Sequence, residues 1–86
     1  MNMTRDEILI RIGKILGRLD LTNGTTQMNE QVGLLGHGIG LDSIEILGVI
    51  AAIEEEFGLT VDDEELRPEY FQTLGTLVSF VQEKLV

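Results

Sequence analysis

The chain has 86 residues, 43% of them hydrophobic, no Cys and a formal net charge of -9. That is room for one domain, 1–86, with too much apolar content for a disordered chain and no sulfur for disulfides or thiol chemistry. The charge is lopsided: four acids and four bases cancel between Met1 and Leu41, whereas from Asp42 onward eleven acids face only Arg67 and Lys84. The second half therefore repels nucleic acid and anionic lipid and attracts a partner with a basic face. Asp6 and Glu7 stand where a signal peptide has apolar residues, and no apolar run approaches membrane-spanning length. A cytoplasmic protein with no membrane insertion is expected.

The pattern predicts four helical segments and no strand. The first starts at Thr4, which forms a T-x-x-E capping box with Glu7, with Met3 and Ile8 at the staple positions. Ile8, Ile12, Ile15, Leu16 and Leu19 recur at helical spacing on one apolar face. The helix should stop near Asp20, before the turn residues 21–26. A long connection follows to Leu41, rich in glycine, with Val32, Leu34, Leu35 and Ile39 as the residues that pin it to the core. Loops this long in a small domain are usually functional or mobile.

The second helix has the clearest start. Asp42 is the N-cap, Glu45 completes a D-x-x-E box, and Leu41 and Ile46 occupy the staple positions, which makes Ser43 the first helical residue. Ile46, Val49, Ile50, Ile53 and Phe57 give the core face, and Gly58 suits a left-handed C-cap. The run Asp62 to Glu65 reads as a solvated charge run, since it lacks the alternation and bidentate Glu spacing of a calcium loop. Pro68 suits the first position of a short third helix, with Tyr70 and Phe71 turning inward. Thr73 can cap the last helix, whose stripe is Leu74, Leu77, Val78, Val81 and Leu85.

Catalysis finds little support. A Ser-His-Asp set would need Ser43, His37 and Asp42, but Asp42 adjoins Ser43 and serves as a cap, and nothing orients His37. His37 reads as a loop residue with a local hydrogen bond. No enzyme activity, catalytic residue or metal site is expected. Ser43 is distinctive because a helix N-terminus favours an attached anion and the approach Gly36-His37-Gly38-Ile39-Gly40 brings no bulky side chain near it. Ser is also common at helix starts, so position alone does not assign it a role.

The stretch Gly40-Leu41-Asp42-Ser43-Ile44-Glu45 resembles the G-x-D-S-[LI] attachment motif of acyl carrier proteins. The likeness continues through Ile53-Glu54-Glu55-Glu56-Phe57-Gly58 and Arg67-Pro68-Glu69-Tyr70-Phe71, and so covers nearly the whole chain. It implies an all-α bundle of three main helices, one short helix and a long first loop. It also implies that Ser43 carries a covalent 4′-phosphopantetheine arm from coenzyme A, installed by a phosphopantetheinyl transferase whose metal Asp42 helps to position. The thiol of the arm would hold acyl groups as thioesters.

By the same resemblance, Ile44, Glu45, Leu47, Ala51, Glu54 and Glu55 form a face for acyl-transferring and acyl-modifying enzymes with basic docking surfaces. Leu35, Ile50, Ile53, Phe71 and Leu74 wall an acyl pocket in a monomer. Gly48 stands where members of fatty acid synthesis carry an acid, and Ile44 replaces a commoner Leu. Fatty acid, polyketide and related lipid biosynthesis all stay open. A peptidyl or aminoacyl carrier and a helical interaction module without an arm are the alternatives.

Overall fold

Helix α1 (Arg5–Arg18) begins where its capping box closes. The Glu7 amide donates to the Thr4 hydroxyl at 3.2 Å and the Thr4 amide donates to the Glu7 carboxylate at 3.2 Å. Each bond satisfies a donor that helix geometry leaves unpaired. Ile8, Ile12, Ile15 and Leu16 are buried. Leu19, expected on the same face, is 42% exposed. The helix ends at Arg18, Leu19 is its C-cap, and Asp20 turns the chain away with φ 58°. The computed structural model describes residues 3–22 and 28–85, so most of the turn read at 21–26 lies outside the described residues.

From Met28 onward the long connection is held by backbone hydrogen bonds. The amides of Leu34, Leu74 and Gly75 donate to the carbonyls of Gln72, Val32 and Glu30 at 2.9, 2.9 and 3.0 Å, which lays the segment along the start of the last helix. The amides of Ile39 and Leu41 donate back to Gly33 and Leu34, both at 2.8 Å. Gly38 lies so close to Gly33 that a Cβ would overlap the Gly33 carbonyl, which is why the loop needs glycine there. Leu34 and Ile39 are buried, while Val32 and Leu35 are half-buried against the core.

Helix α2 (Ser43–Phe57) buries Val49, Ile50, Ile53 and Phe57 and leaves Ile46 half-buried. Gly58 ends it with φ 65° and ψ 40°. The acid run forms a 3-10 turn over Asp63–Glu65. It is less fully solvated than expected, because Glu65 pairs with Lys84 at 2.9 Å. The short third helix is a second 3-10 turn, Pro68–Phe71, which buries Phe71. A segment this short closes with i to i+3 bonds.

Helix α3 (Leu74–Leu85) is capped by Thr73 and Thr76, whose amides and hydroxyls bond reciprocally at 3.1 Å. It buries Leu74, Leu77, Val78 and Val81, together with Phe80, which stacks on Tyr70 with ring centroids 4.7 Å apart. Helix α1 packs against both α2 and α3. Arg5, at the start of α1, fastens the connection to α3. Its guanidinium pairs with Glu30 at 2.7 Å and donates to Ser79 Oγ at 2.9 Å and Gly75 O at 3.1 Å.

Candidate functional site

Ser43 is the first residue of α2 and is exposed. Its position follows from local bonds. The Glu45 amide donates to Asp42 Oδ1 at 2.7 Å, and the Asp42 amide donates to Glu45 Oε1 at 3.0 Å. The Ile46 amide reaches the Asp42 carbonyl at 2.9 Å. The amides of Ser43 and Ile44 have no partner among the described residues, so unpaired N–H groups remain beside the Ser43 hydroxyl. Leu41 is 8% exposed and anchors the approach, and Gly40 makes the turn with φ 78°.

Ser43 also stands on the rim of an apolar groove of about 310 Å³, lined by Leu35, Ile46, Leu47, Leu66, Pro68 and Phe71. Of the residues expected to wall an acyl pocket, Leu35 and Phe71 line this groove. Ile50, Ile53 and Leu74 do not: they are 6%, 0% and 0% exposed and fill the core. Core-facing residues of a small bundle are consumed by packing against α1 and α3, leaving little interior to a ligand. Sequence reasoning missed Ile46, Leu47, Leu66 and Pro68 as groove walls. For Ile46 and Leu47 a signal exists, since they stand three and four residues after Ser43 and share its helical face.

The residues expected to meet partners fall into distinct settings. Ile44 and Leu47 are 78% and 56% exposed, and Ala51 is exposed between them and Glu55. Glu55 projects into solvent. Glu54 does not stand beside it as an equivalent charge, because its carboxylate accepts from the Val61 amide at 2.8 Å. Glu45 is half-buried and engaged in the cap. Glu56 pairs with Arg11 at 3.2 Å and with Arg18 at 3.7 Å.

The arrangement offers no nucleophile with its own base. Asp42 is committed to the Glu45 amide. His37 is exposed and, against expectation, makes no side-chain hydrogen bond among the described residues. Among those residues no group of three or more His, Asp or Glu side chains is placed to hold a metal. What the site does present is an exposed hydroxyl, unpaired amides suited to an anion, and an apolar groove within reach of both.

The chain matches the family model of the phosphopantetheine attachment site over residues 11–81. It is 32% identical over 82 residues to the acyl carrier protein of Thermotoga maritima, covering 95% of this chain and 96% of that one. It is 30% identical over 84 residues to the acyl carrier protein of Petrotoga mobilis, covering 96% and 93%. Its fold is similar to the solution NMR structure of a holo acyl carrier protein from Nitrosomonas europaea, with a TM-score of 0.76 and 40% identity over 90% of this chain and 94% of that one.

Proposed function

The chain belongs to the acyl carrier protein family, whose members bear a covalent phosphopantetheine, and from that premise we propose that Ser43 is the attachment residue. One observation carries the assignment: Ser43 is an exposed hydroxyl at the first position of α2, on the rim of the apolar groove. The surroundings fit the group. A phosphodiester on Ser43 would meet the unpaired Ser43 and Ile44 amides and the positive end of the helix dipole. When bound, the arm supplies the thiol that this Cys-free chain lacks and holds acyl groups as thioesters.

The chain's own residues do the positioning. Asp42 and Glu45 fix the helix start and so the direction of the Ser43 hydroxyl. In our reading, the outward oxygen of exposed Asp42 faces the metal of the phosphopantetheinyl transferase. Leu35, Leu47, Leu66 and Phe71 give apolar cover to the cargo, and such walls favour an acyl over an aminoacyl group. Ile44, Leu47, Ala51 and Glu55 meet the basic faces of acyl-transferring and acyl-modifying enzymes, while Glu45 and Glu54 are engaged by backbone amides and shape the two ends of the helix. The protein is a carrier and leaves catalysis to those enzymes. Among the described residues no helix is long and apolar enough to cross a membrane. Our reading places the protein in the cytoplasm, as a monomer serving fatty acid, polyketide or related lipid synthesis.

The test is mass spectrometry after incubation with coenzyme A, magnesium and a broad-specificity transferase. One added phosphopantetheine group is expected, and none on Ser43→Ala. Addition to Ser43→Ala would move the arm elsewhere, and no addition under conditions that modify a control carrier would overturn the assignment.

A further inference from the structure

The walls of the groove beside Ser43 are not held alike. Ile46 and Leu47 stand on α2, and Phe71 is 4% exposed and part of the core. Leu35 belongs to the connection, where the amide of its neighbour Leu34 donates to the Gln72 carbonyl at 2.9 Å. Ile50, Ile53 and Leu74 fill the core, and an interior packed at native density resists an added chain. Leu66 is held differently. It is half-buried and is the C-cap of the 3-10 turn Asp63–Glu65. The backbone bonds of that turn stay within it: the amides of Glu65, Leu66 and Arg67 donate to the carbonyls of Asp62, Asp63 and Glu65 at 2.9, 3.1 and 2.9 Å.

One polar tie joins this turn to a helix. Lys84, in the last turn of α3, donates to both carboxylate oxygens of Glu65, at 2.9 and 3.1 Å. The Asp62 amide donates to Glu65 Oε1 at 3.0 Å, so one carboxylate links the start of the turn to Lys84. Among the described residues, residues 62–66 make no other hydrogen bond or ion pair to α1, α2 or α3. Glu65 and Lys84 are both half-buried, where salt screens a pair less than at an exposed site. The turn moves as a unit, and Lys84 decides whether it moves.

We propose that the Glu65–Lys84 pair is the length gauge of the groove: by holding Leu66 in place it limits the acyl chain that the protein can cover. The proposal rests on the carrier reading above and says which cargo that carrier selects. A chain that fits within the groove's volume of about 310 Å³ lies against Leu35, Leu47, Leu66 and Phe71 without displacing them. A longer chain has two outcomes. Its far carbons stay in water and forgo burial, or they push Leu66 outward and break the bonds to Lys84. The cargo class is therefore short to medium acyl chains, and a long chain is carried with its tail exposed.

The experiment measures melting temperatures of wild type, Lys84→Met, Lys84→Arg and Arg11→Met. Each is compared as unloaded holo protein and after loading, by the transferase from acyl-coenzyme A, with saturated chains from butanoyl to hexadecanoyl. The increment is loaded minus unloaded for the same variant, so a stability loss common to both forms drops out. In wild type the increment should grow with chain length and then level off. Lys84→Met keeps the stem and the bond from Asp62 to Glu65 but removes the tie, so its increment should go on growing for about two further carbons or more. Lys84→Arg restores the pair and should level off where wild type does. Arg11→Met breaks an ion pair with Glu56 that does not border the groove, and should also level off there. Levelling at one chain length in all four proteins, or a shift in Arg11→Met equal to that in Lys84→Met, would overturn the gauge and leave the carrier reading standing. A wild-type increment that is absent at every length, or that grows through the longest chain, would overturn the gauge likewise. No mass gain in any of the proteins, beside a control carrier that is modified, would instead overturn the carrier reading and the gauge with it.

Discussion

The Glu54 carboxylate accepts a hydrogen bond from the Val61 amide at 2.8 Å, tying the last turns of α2 to the segment that leaves it. Its sequence neighbour Glu55 makes no such bond and is exposed. Adjacent acids thus divide structural from surface work. Glu54→Ala should lower unfolding free energy by about 1.5–3 kcal/mol, the range for a hydrogen bond to a charged group. Its KM in arm transfer should stay within about twofold of wild type. Glu55→Lys should change stability by less than about 0.5 kcal/mol. It should raise KM, by an amount that shrinks with added salt. Urea unfolding and transfer kinetics on both variants check this, and equal KM effects from the two would refute the division.

The groove beside Ser43 predicts how cargo changes stability. An acyl chain lying over Leu35, Leu66 and Phe71 and burying roughly 100 Å² of apolar surface is worth about 2.5 kcal/mol at 25 cal/mol per Å². Native-state burial of this kind raises the melting temperature. Holo protein loaded with a medium acyl chain should therefore melt above unloaded holo protein. Leu66→Ser, at a half-buried wall, should reduce that increment while leaving the unloaded protein folded. Phe71 is unsuitable for the test, since it is 4% exposed and its truncation would damage the core. Equal melting temperatures with and without cargo would place the chain outside the groove.

Two ion pairs predict a response to acid. The Arg5 guanidinium, chiefly by its hydrogen bonds, holds the Glu30 carboxyl below its ordinary value of 4.5. The Lys84 ammonium, helped by the Asp62 amide, does the same for Glu65. Each carboxyl is thus more acidic folded than unfolded. Its contribution to stability is present above the unfolded value near 4.5 and is lost as pH falls through the lower folded value. Wild type should exceed the Glu30→Gln, Glu65→Gln double variant in stability at neutral pH, and the gap should close as pH falls from about 5 to 3. Denaturant midpoints at several pH values check it. A gap that does not change with pH would mean that these carboxylates are not the groups titrating.

Both capping boxes were legible in the sequence because they are local: Thr4 with Glu7, and Asp42 with Glu45, lie three residues apart and close by helix geometry alone. The same locality placed Ser43 at its helix start, and Pro68 and Gly58 announced their turns. Partners distant along the chain were not legible. Nothing near Arg5 points to Glu30 and Ser79, and nothing near Glu54 points to Val61. The exposure of Leu19 depends on where α1 stops, and the apolar period, which placed Leu19 in the core, does not carry that end point. Ile50, Ile53 and Leu74 were core-facing in the pattern, but the pattern could not distinguish filling the core from lining a ligand groove. Phe80 escaped because it widens its stripe, although its spacing of three from Leu77 was a usable signal.

Two glycines at opposite positions of α2 should respond to the same substitution with opposite signs. Gly48 lies inside the helix with nothing within 4 Å of an added Cβ. There glycine only loosens the unfolded and helical backbone, so Gly48→Ala should raise unfolding free energy by about 0.5–1 kcal/mol. Gly58 ends the helix at φ 65°, where space is equally open but the backbone is left-handed. An L side chain there costs roughly 1–2 kcal/mol, so Gly58→Ala should lower stability by about that much. The contrast separates backbone strain from packing, because neither new methyl meets a neighbour. The sites are far enough apart for their effects to add within about 0.5 kcal/mol, which leaves the double variant at or modestly below wild type. Urea midpoints at constant slope measure all three proteins. A destabilising Gly48→Ala would mean that the middle of α2 is strained, and a neutral Gly58→Ala would mean that the helix can end without its left-handed cap.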